Sequence, residues 1–289
     1  MSSRVFNVIA SAALAVMVVF PASAEQKMIT VKGSDTLVNL SATWAEAFMK
    51  KNPDIAISVT GGGSGVGLAA LLNGTTDICN ASRDIKQKEK DKAAELGIEP
   101  VELDVALDGI ALVVNPANPI DKISLEQLRR IFTGEATSWK EVGGLDEKII
   151  VLSRETSSGT YAFFQEHVLD KQDYTPNALM MPATSAIIEA VASDKTAIGY
   201  VGLGYAANAG DRVKVLPVKM DAQSPAVEAN EETVRSGKYP IARALHCYTN
   251  GNPTGNIKKF LDFCLSKKGQ DIVRKEGFVP ITQEEKKDK

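Results

Sequence analysis

The feature that most constrains this fold is an alternation near the start of the chain. Met28 to Lys32 is a short apolar strand that gives way to Gly33-Ser34-Asp35-Thr36. Leu37, Leu40, Trp44 and Phe48 then recur at helical spacing, so a helix starts in that turn and ends before Pro53. The same unit repeats twice. Ile55 to Val59 leads through Gly61-Gly62-Gly63-Ser64-Gly65 into a helix around Leu68, Leu71 and Leu72. Asp77 to Asn80 leads through Ala81-Ser82-Arg83-Asp84 into a charged helix from Lys86 to Leu96. Such alternation argues for an α/β sandwich with a largely parallel sheet. Ligands in such sheets sit beyond the carboxyl ends of the strands, where this chain places three polar or glycine-rich turns in a row.

After the long extended stretch Asp104 to Val114 the pattern resets. Ser124-Leu125-Glu126-Gln127 is a capping-box signature that opens a helix toward Phe132. A strand at Ile149, a helix starting near Ser158, a helix around Ile187 to Val191 and the strand Ala197 to Val201 make a second α/β lobe. Ile241 to Thr249 reads as a further strand. A single helix is expected from Ile257 through Ile272, then a charged tail from Gln283 to Lys289.

Within the second lobe, Ser153-Arg154-Glu155-Thr156-Ser157-Ser158-Gly159-Thr160-Tyr161 joins an apolar strand to a helix. The first N–H groups of a helix lack intrahelical partners, and the macrodipole there favours negative charge. Arg154 adds a planar fork suited to a tetrahedral oxyanion. Ordinary capping accounts for one hydroxyl; the density of Ser157, Ser158, Gly159 and Thr160 points to an anion cradle.

The formal charge of −3 carries no basic footprint for nucleic acid. An anion binder of this composition relies on local donors. Arg4, the apolar run from Val5 to Phe20 and Ala22-Ser23-Ala24 read as a secretory signal peptide cleaved after Ala24. Cys79, Cys247 and Cys264 each sit in an apolar stretch and read as buried thiols, with one disulfide as the alternative. Neither their spacing nor His167 and His246 suggests a metal site, and no cofactor is expected.

Enzyme readings fail on detail. Gly61 to Gly67 lacks the Gly-Lys-Ser/Thr ending of a phosphate-binding loop and the spacing of a dinucleotide fingerprint. Val66 stands where a nucleophile elbow on Ser64 needs glycine. His167 lies too far along its helix to activate Ser158, and His246 falls inside an apolar strand.

Taken in order, the Gly33–Thr36, Gly61–Gly65, Asp77–Arg83 and Arg154–Thr160 motifs resemble the phosphate-binding proteins of bacterial ABC importers. Ile131-Phe132-Thr133-Gly134, Ser138-Trp139 and Gly277-Phe278-Val279-Pro280 fit the same pattern. The resemblance implies a two-lobed periplasmic binding protein fold, type II-like, each lobe a mixed sheet flanked by helices. It places residues 25–110 and 240–289 in one lobe and 111–239 in the other, with strand hinges near 108–112 and 238–242. It further implies capture of inorganic phosphate in the periplasm and delivery to the membrane subunits of an ABC permease, without catalysis. A monomer is expected, and no nucleic-acid partner.

Carried over residue by residue, Ser34, Thr36 and Ser64 donate from the first lobe and Arg154, Ser158, Gly159 and Thr160 from the second. Ser82 and Arg83 complete the third turn. Longer family members carry an aspartate after the Ala-Ser of that turn to accept the proton of bound phosphate; here Arg83 stands there and Asp84 follows. Asp35 and Asp84 are therefore the candidate acceptors, Asp35 favoured by its place inside the first turn. Such a carboxylate would reject sulfate, which has no proton to give, by on the order of several kcal/mol. Sulfate or molybdate binding, and a phosphoester hydrolase using Ser158 or Ser64, are the alternatives.

Overall fold

A computed structural model describes residues 28–281; the signal peptide and the Gln283–Lys289 tail lie outside the described residues. The first lobe begins with three strand–helix units. These are β1 (Met28–Gly33) and α1 (Val38–Met49), β2 (Ala56–Thr60) and α2 (Ser64–Leu72), and β3 (Ile78–Ala81) and α3 (Gln87–Glu95). β1 lies between β2 and β3, parallel to both. The fifteen-residue strand β4 (Pro100–Val114) then carries the chain out of this lobe.

The second lobe follows with β5 (Ile123–Ser124), α4 (Leu125–Thr133), β6 (Ile150–Arg154), α5 (Gly159–His167), β7 (Leu179–Met181) and α6 (Thr184–Ser193). It closes with β8 (Ala197–Gly202), α7 (Leu203–Ala209), β9 (Lys214–Leu216), β10 (Val218–Lys219), β11 (Ala226–Val227) and α8 (Glu231–Arg235). The chain returns along β12 (Ala242–Asn250) and ends on α9 (Gly255–Leu265) and α10 (Lys267–Lys275).

The main sheet runs β2-β1-β3-β12-β4-β8-β6-β7, with β9 also on β4. It is mixed, a correction to the largely parallel sheet expected from the opening alternation. The outer strands of each lobe are parallel, but β12 runs antiparallel to both β3 and β4, because the chain that left along β4 must come back. Residues 100–109 of β4 pair with β12, and residues 110–114 pair with β8 and β9, so this one strand belongs to both lobes.

The apolar core divides accordingly. Ile29, Leu40, Trp44 and Phe48 pack with Phe260, Cys264 and Val273 in the first lobe. Phe132, Trp139, Phe164 and Tyr200 anchor one face of the second, and Ile187, Val191 and Val201 the other. All three cysteines are buried free thiols; burial pushes the Cys247 thiol up to about 12. One further correction concerns the C-terminal helix. Ser266 adopts an extended conformation and splits it into α9 and α10, its hydroxyl accepting from Gly269 N–H.

Candidate functional site

The parallel strands of both lobes point their carboxyl ends at one cleft, and the residues just beyond those ends meet there. From the first lobe, Ser34 follows β1, Ser64 opens α2 and Ser82 follows β3. All three are buried. Ser34 Oγ donates to Ser82 Oγ at 2.8 Å, Ser82 N–H donates to Ser64 Oγ at 3.0 Å, and the Ser64 and Ser82 hydroxyls stand 3.3 Å apart. From the second lobe, Ser158 caps α5 by accepting from Tyr161 N–H, and Gly159 and Thr160 form its first turn. Thr160 Oγ1 shares a 3.0 Å hydrogen bond with Thr36 Oγ1 of the opposite lobe. A Cβ on Gly159 would sit 2.2 Å from Ser64 Oγ and 2.7 Å from Ser82 Oγ, so only glycine permits this approach. Gly65 N–H donates across the cleft to the Ser157 carbonyl at 2.9 Å.

Sequence reasoning missed a buried cation in this cluster. Arg243, near the start of β12, donates from Nη2 to Thr160 Oγ1 at 3.0 Å and from Nη1 to the Ser82 carbonyl at 2.6 Å. Its Nε and Nη2 both reach Asp108 Oδ2, at 3.1 and 2.8 Å. Asp108 Oδ1 accepts from Leu203 N–H, the first residue of α7, at 2.8 Å. Burial pushes the Asp108 carboxyl up and the Arg243 guanidinium down, while each charge pulls the other back toward ionisation. The available signal was a charge set among small and apolar residues at matching places in two strands, Ala106-Leu107-Asp108 and Ala242-Arg243-Ala244.

Arg154, at the end of β6, is 2% exposed and commits its fork differently from expectation. Nη2 reaches Asp35 Oδ2 of the other lobe at 2.6 Å and the Pro182 carbonyl at 2.9 Å. Nη1 donates to Thr184 Oγ1 and Nε to the Met181 carbonyl. Asp35 Oδ1 accepts from Gly62 N–H at 3.0 Å, so this carboxylate ties the first turn to the second and both to the opposite lobe.

The other candidates lie apart. Arg83 gives both fork nitrogens to Glu89 at 2.8 Å and is spent within the 83–89 turn. Asp84 is exposed and faces His246. His167 stacks on Phe163 and its Nδ1 lies 3.0 Å from the Phe163 carbonyl, so neither histidine bonds Ser64 or Ser158. A cavity of about 570 Å³ opens between the 83–87 turn, Phe163 and Glu166 of α5, and Arg243, which it shares with the hydroxyl cluster.

The profile of the PBP superfamily domain matches residues 19–268. The chain is 35% identical over 255 residues to the phosphate-binding protein PstS of Bacillus subtilis, covering 88% of this chain and 81% of the relative. This chain belongs to the PstS family. The PstS of Pseudomonas aeruginosa strain PAO1 is 31% identical, over 86% of this chain and 81% of its own length. Among solved structures, a putative phosphate ABC transporter substrate-binding protein from Clostridium perfringens, with bound phosphate, superposes with a TM-score of 0.80. It is 35% identical and is matched over its whole length by 88% of this chain. An ABC-type phosphate transport receptor from Vibrio cholerae is 26% identical with a TM-score of 0.70, again over 88% of this chain and 100% of that one. The PstS relatives thus share the fold whose strand ends build this hydroxyl cluster.

Proposed function

We propose that this chain captures inorganic phosphate outside the cytoplasmic membrane and presents it to an ABC permease. The observation that carries the reading is the convergence, from both lobes, of buried hydroxyls on helix N-termini with a buried guanidinium. Ser34, Ser64, Ser82, Thr36, Ser158 and Thr160, with Gly159 N–H, supply neutral donors, and Arg243 supplies the charge. This is the donor set a tetrahedral oxyanion needs in a dry cleft. Binding works by closure: a ligand that bridges both lobes stabilises the closed arrangement.

In this reading residues 25–110 and 240–289 form one lobe and 111–239 the other, with the hinge where β4 passes between lobes and where β12 begins. Residues 1–24 act as an export signal and the mature chain works as a periplasmic monomer. Arg154 acts by locking the closed lobes through Asp35, and Arg243 takes the place first given to Arg83. Asp35 rather than Asp84 serves in this reading as the acceptor of the ligand's proton; its place between Ser34 and Thr36 supports this, as do the lone pairs its oxygens keep beyond the bonds to Gly62 and Arg154.

The test is calorimetric titration of the mature, ligand-stripped protein with phosphate and with sulfate, repeated on Asp35→Asn. Wild-type protein is expected to bind phosphate and discriminate against sulfate. Asp35→Asn is expected to weaken phosphate binding more than sulfate binding. Absence of phosphate binding in folded, stripped protein would overturn the function; unchanged discrimination in the variant would remove Asp35 as acceptor.

A further inference from the structure

Away from the cleft, the first lobe carries a second cluster of chemical side chains that anion capture does not use. His246 lies mid-way along β12, buried, at a register shift between Leu245 and His246 that re-aims the side chain. Its Nδ1 stands 2.8 Å from Asp104 Oδ1, and its Nε2 stands 3.2 Å from Asp84 Oδ1 on the far side of the ring. Glu102 Oε1 lies 3.7 Å from Nδ1, while Glu102 Oε2 accepts from the Tyr248 hydroxyl at 2.5 Å. A neutral imidazole has one N–H to give. With that proton on Nδ1 toward Asp104, the Nε2 lone pair of a buried ring faces a carboxylate oxygen, a contact that either a second ring proton or a bound cation relieves. One donor atom each from Asp84, Glu102 and His246 lies within 4.8 Å of the others.

We infer that Asp84, Glu102 and His246 form a binding site for a first-row divalent transition-metal ion, with His246 Nε2 as its nitrogen ligand. Asp104 and Tyr248 hold the ligands from behind, the arrangement that fixes the tautomer and aim of metal-binding histidines. One imidazole, two carboxylates and water in the remaining position suit zinc(II). Tetrahedral bonds of about 2.0 Å need ligand separations of about 3.3 Å. The Nε2–Asp84 distance already matches, and Asp84, 89% exposed, is free to swing toward Glu102. The competing account is an imidazolium donating to both flanking carboxylates, which needs no metal and leaves zinc without a specific site.

The experiment is calorimetric titration of the mature protein with zinc chloride near neutral pH, in a phosphate-free, non-chelating buffer. Asp84→Asn and His246→Gln are titrated alongside. One equivalent is expected to bind wild type, at least about tenfold more weakly in Asp84→Asn, and without specific uptake in His246→Gln. Because Asp84 is exposed, its variant keeps the test sharp even if His246→Gln folds poorly. Cobalt(II) should give visible d–d bands with wild type that Asp84→Asn loses. Phosphate affinity of Asp84→Asn in metal-free buffer should equal that of wild type, separating this site from the anion cleft. No zinc uptake by wild type, or uptake undiminished in Asp84→Asn, would overturn the proposal.

Discussion

Arg243 and Asp108 form the most consequential pair at the scale of single residues. Both are almost wholly buried, and they join β12 to β4 where the lobes meet. Removing one member of such a pair strands the other's charge in a dry interior, which costs about 3–5 kcal/mol. Arg243→Met should therefore lose about that much stability in urea unfolding near neutral pH. The loss should also depend on pH. Without Arg243, nothing but Leu203 N–H offsets the burial that pushes Asp108 up. Its folded pKa would then lie well above the unfolded value, so the folded variant binds a proton the unfolded chain releases. The stability deficit should shrink as pH falls through that window and be largest above it. A deficit independent of pH would mean that Asp108 is not the stranded charge. Gly159 gives a complementary prediction. In Gly159→Ala the added methyl meets Ser64 and Ser82 only when the lobes come together. Phosphate affinity should fall by about a hundredfold or more, the loss expected when bonds to a charged ligand go unmade. The unfolding midpoint of the stripped protein should barely move.

Single elements show how far the sequence could be read. The units β1–α1, β2–α2 and β3–α3 were legible because each pairs a short apolar run with helical periodicity and a polar turn. The α4 capping box was legible too: Ser124 Oγ accepts from Gln127 N–H and the Gln127 side chain accepts from Ser124 N–H. Strands β5, β7, β9, β10 and β11 span only two or three residues each, too short for any period. Helix α7 was hidden because Leu203–Ala209 spans only about two turns and carries a glycine, Gly204, that packs against Phe278. The α9–α10 break was missed because apolar spacing runs on through Ser266 while the backbone does not. Gly269 lies so close to the Phe263 and Cys264 carbonyls that a Cβ would sit 2.2 Å from each. Its own carbonyl accepts from Trp44 Nε1 at 2.9 Å, tying α10 to α1. Gly269→Ala should therefore destabilise by about 1–3 kcal/mol, the usual cost of overpacking, despite alanine's better helix propensity. A gain in thermal midpoint would show that the break relaxes freely.

For the whole molecule the decisive quantity is the balance between open and closed lobes. Contacts that cross the cleft without passing through a ligand include Arg154–Asp35, Tyr205–Asp35, Thr36–Thr160, Arg243–Thr160 and Gly65–Ser157. The site residues were legible as separate motifs, but which of them bond one another across the cleft was not. That pairing depends on how far β4 and β12 let the lobes approach. Direct contacts raise the closed fraction of free protein, and apparent affinity rises with that fraction. The ligand then adds its own bridging bonds. Small-angle scattering of stripped wild-type protein should accordingly give a radius of gyration that falls on phosphate addition. Asp35→Asn, which loses the charged half of the Arg154 contact, should start from a larger radius and need more phosphate to reach the compact value. Gly159→Ala should stay extended at phosphate concentrations that compact wild type, because its methyl occupies the plane along which the lobes meet. If that variant compacted as wild type does, closure would proceed along a different surface, and the hydroxyl cluster would not be where the ligand is held.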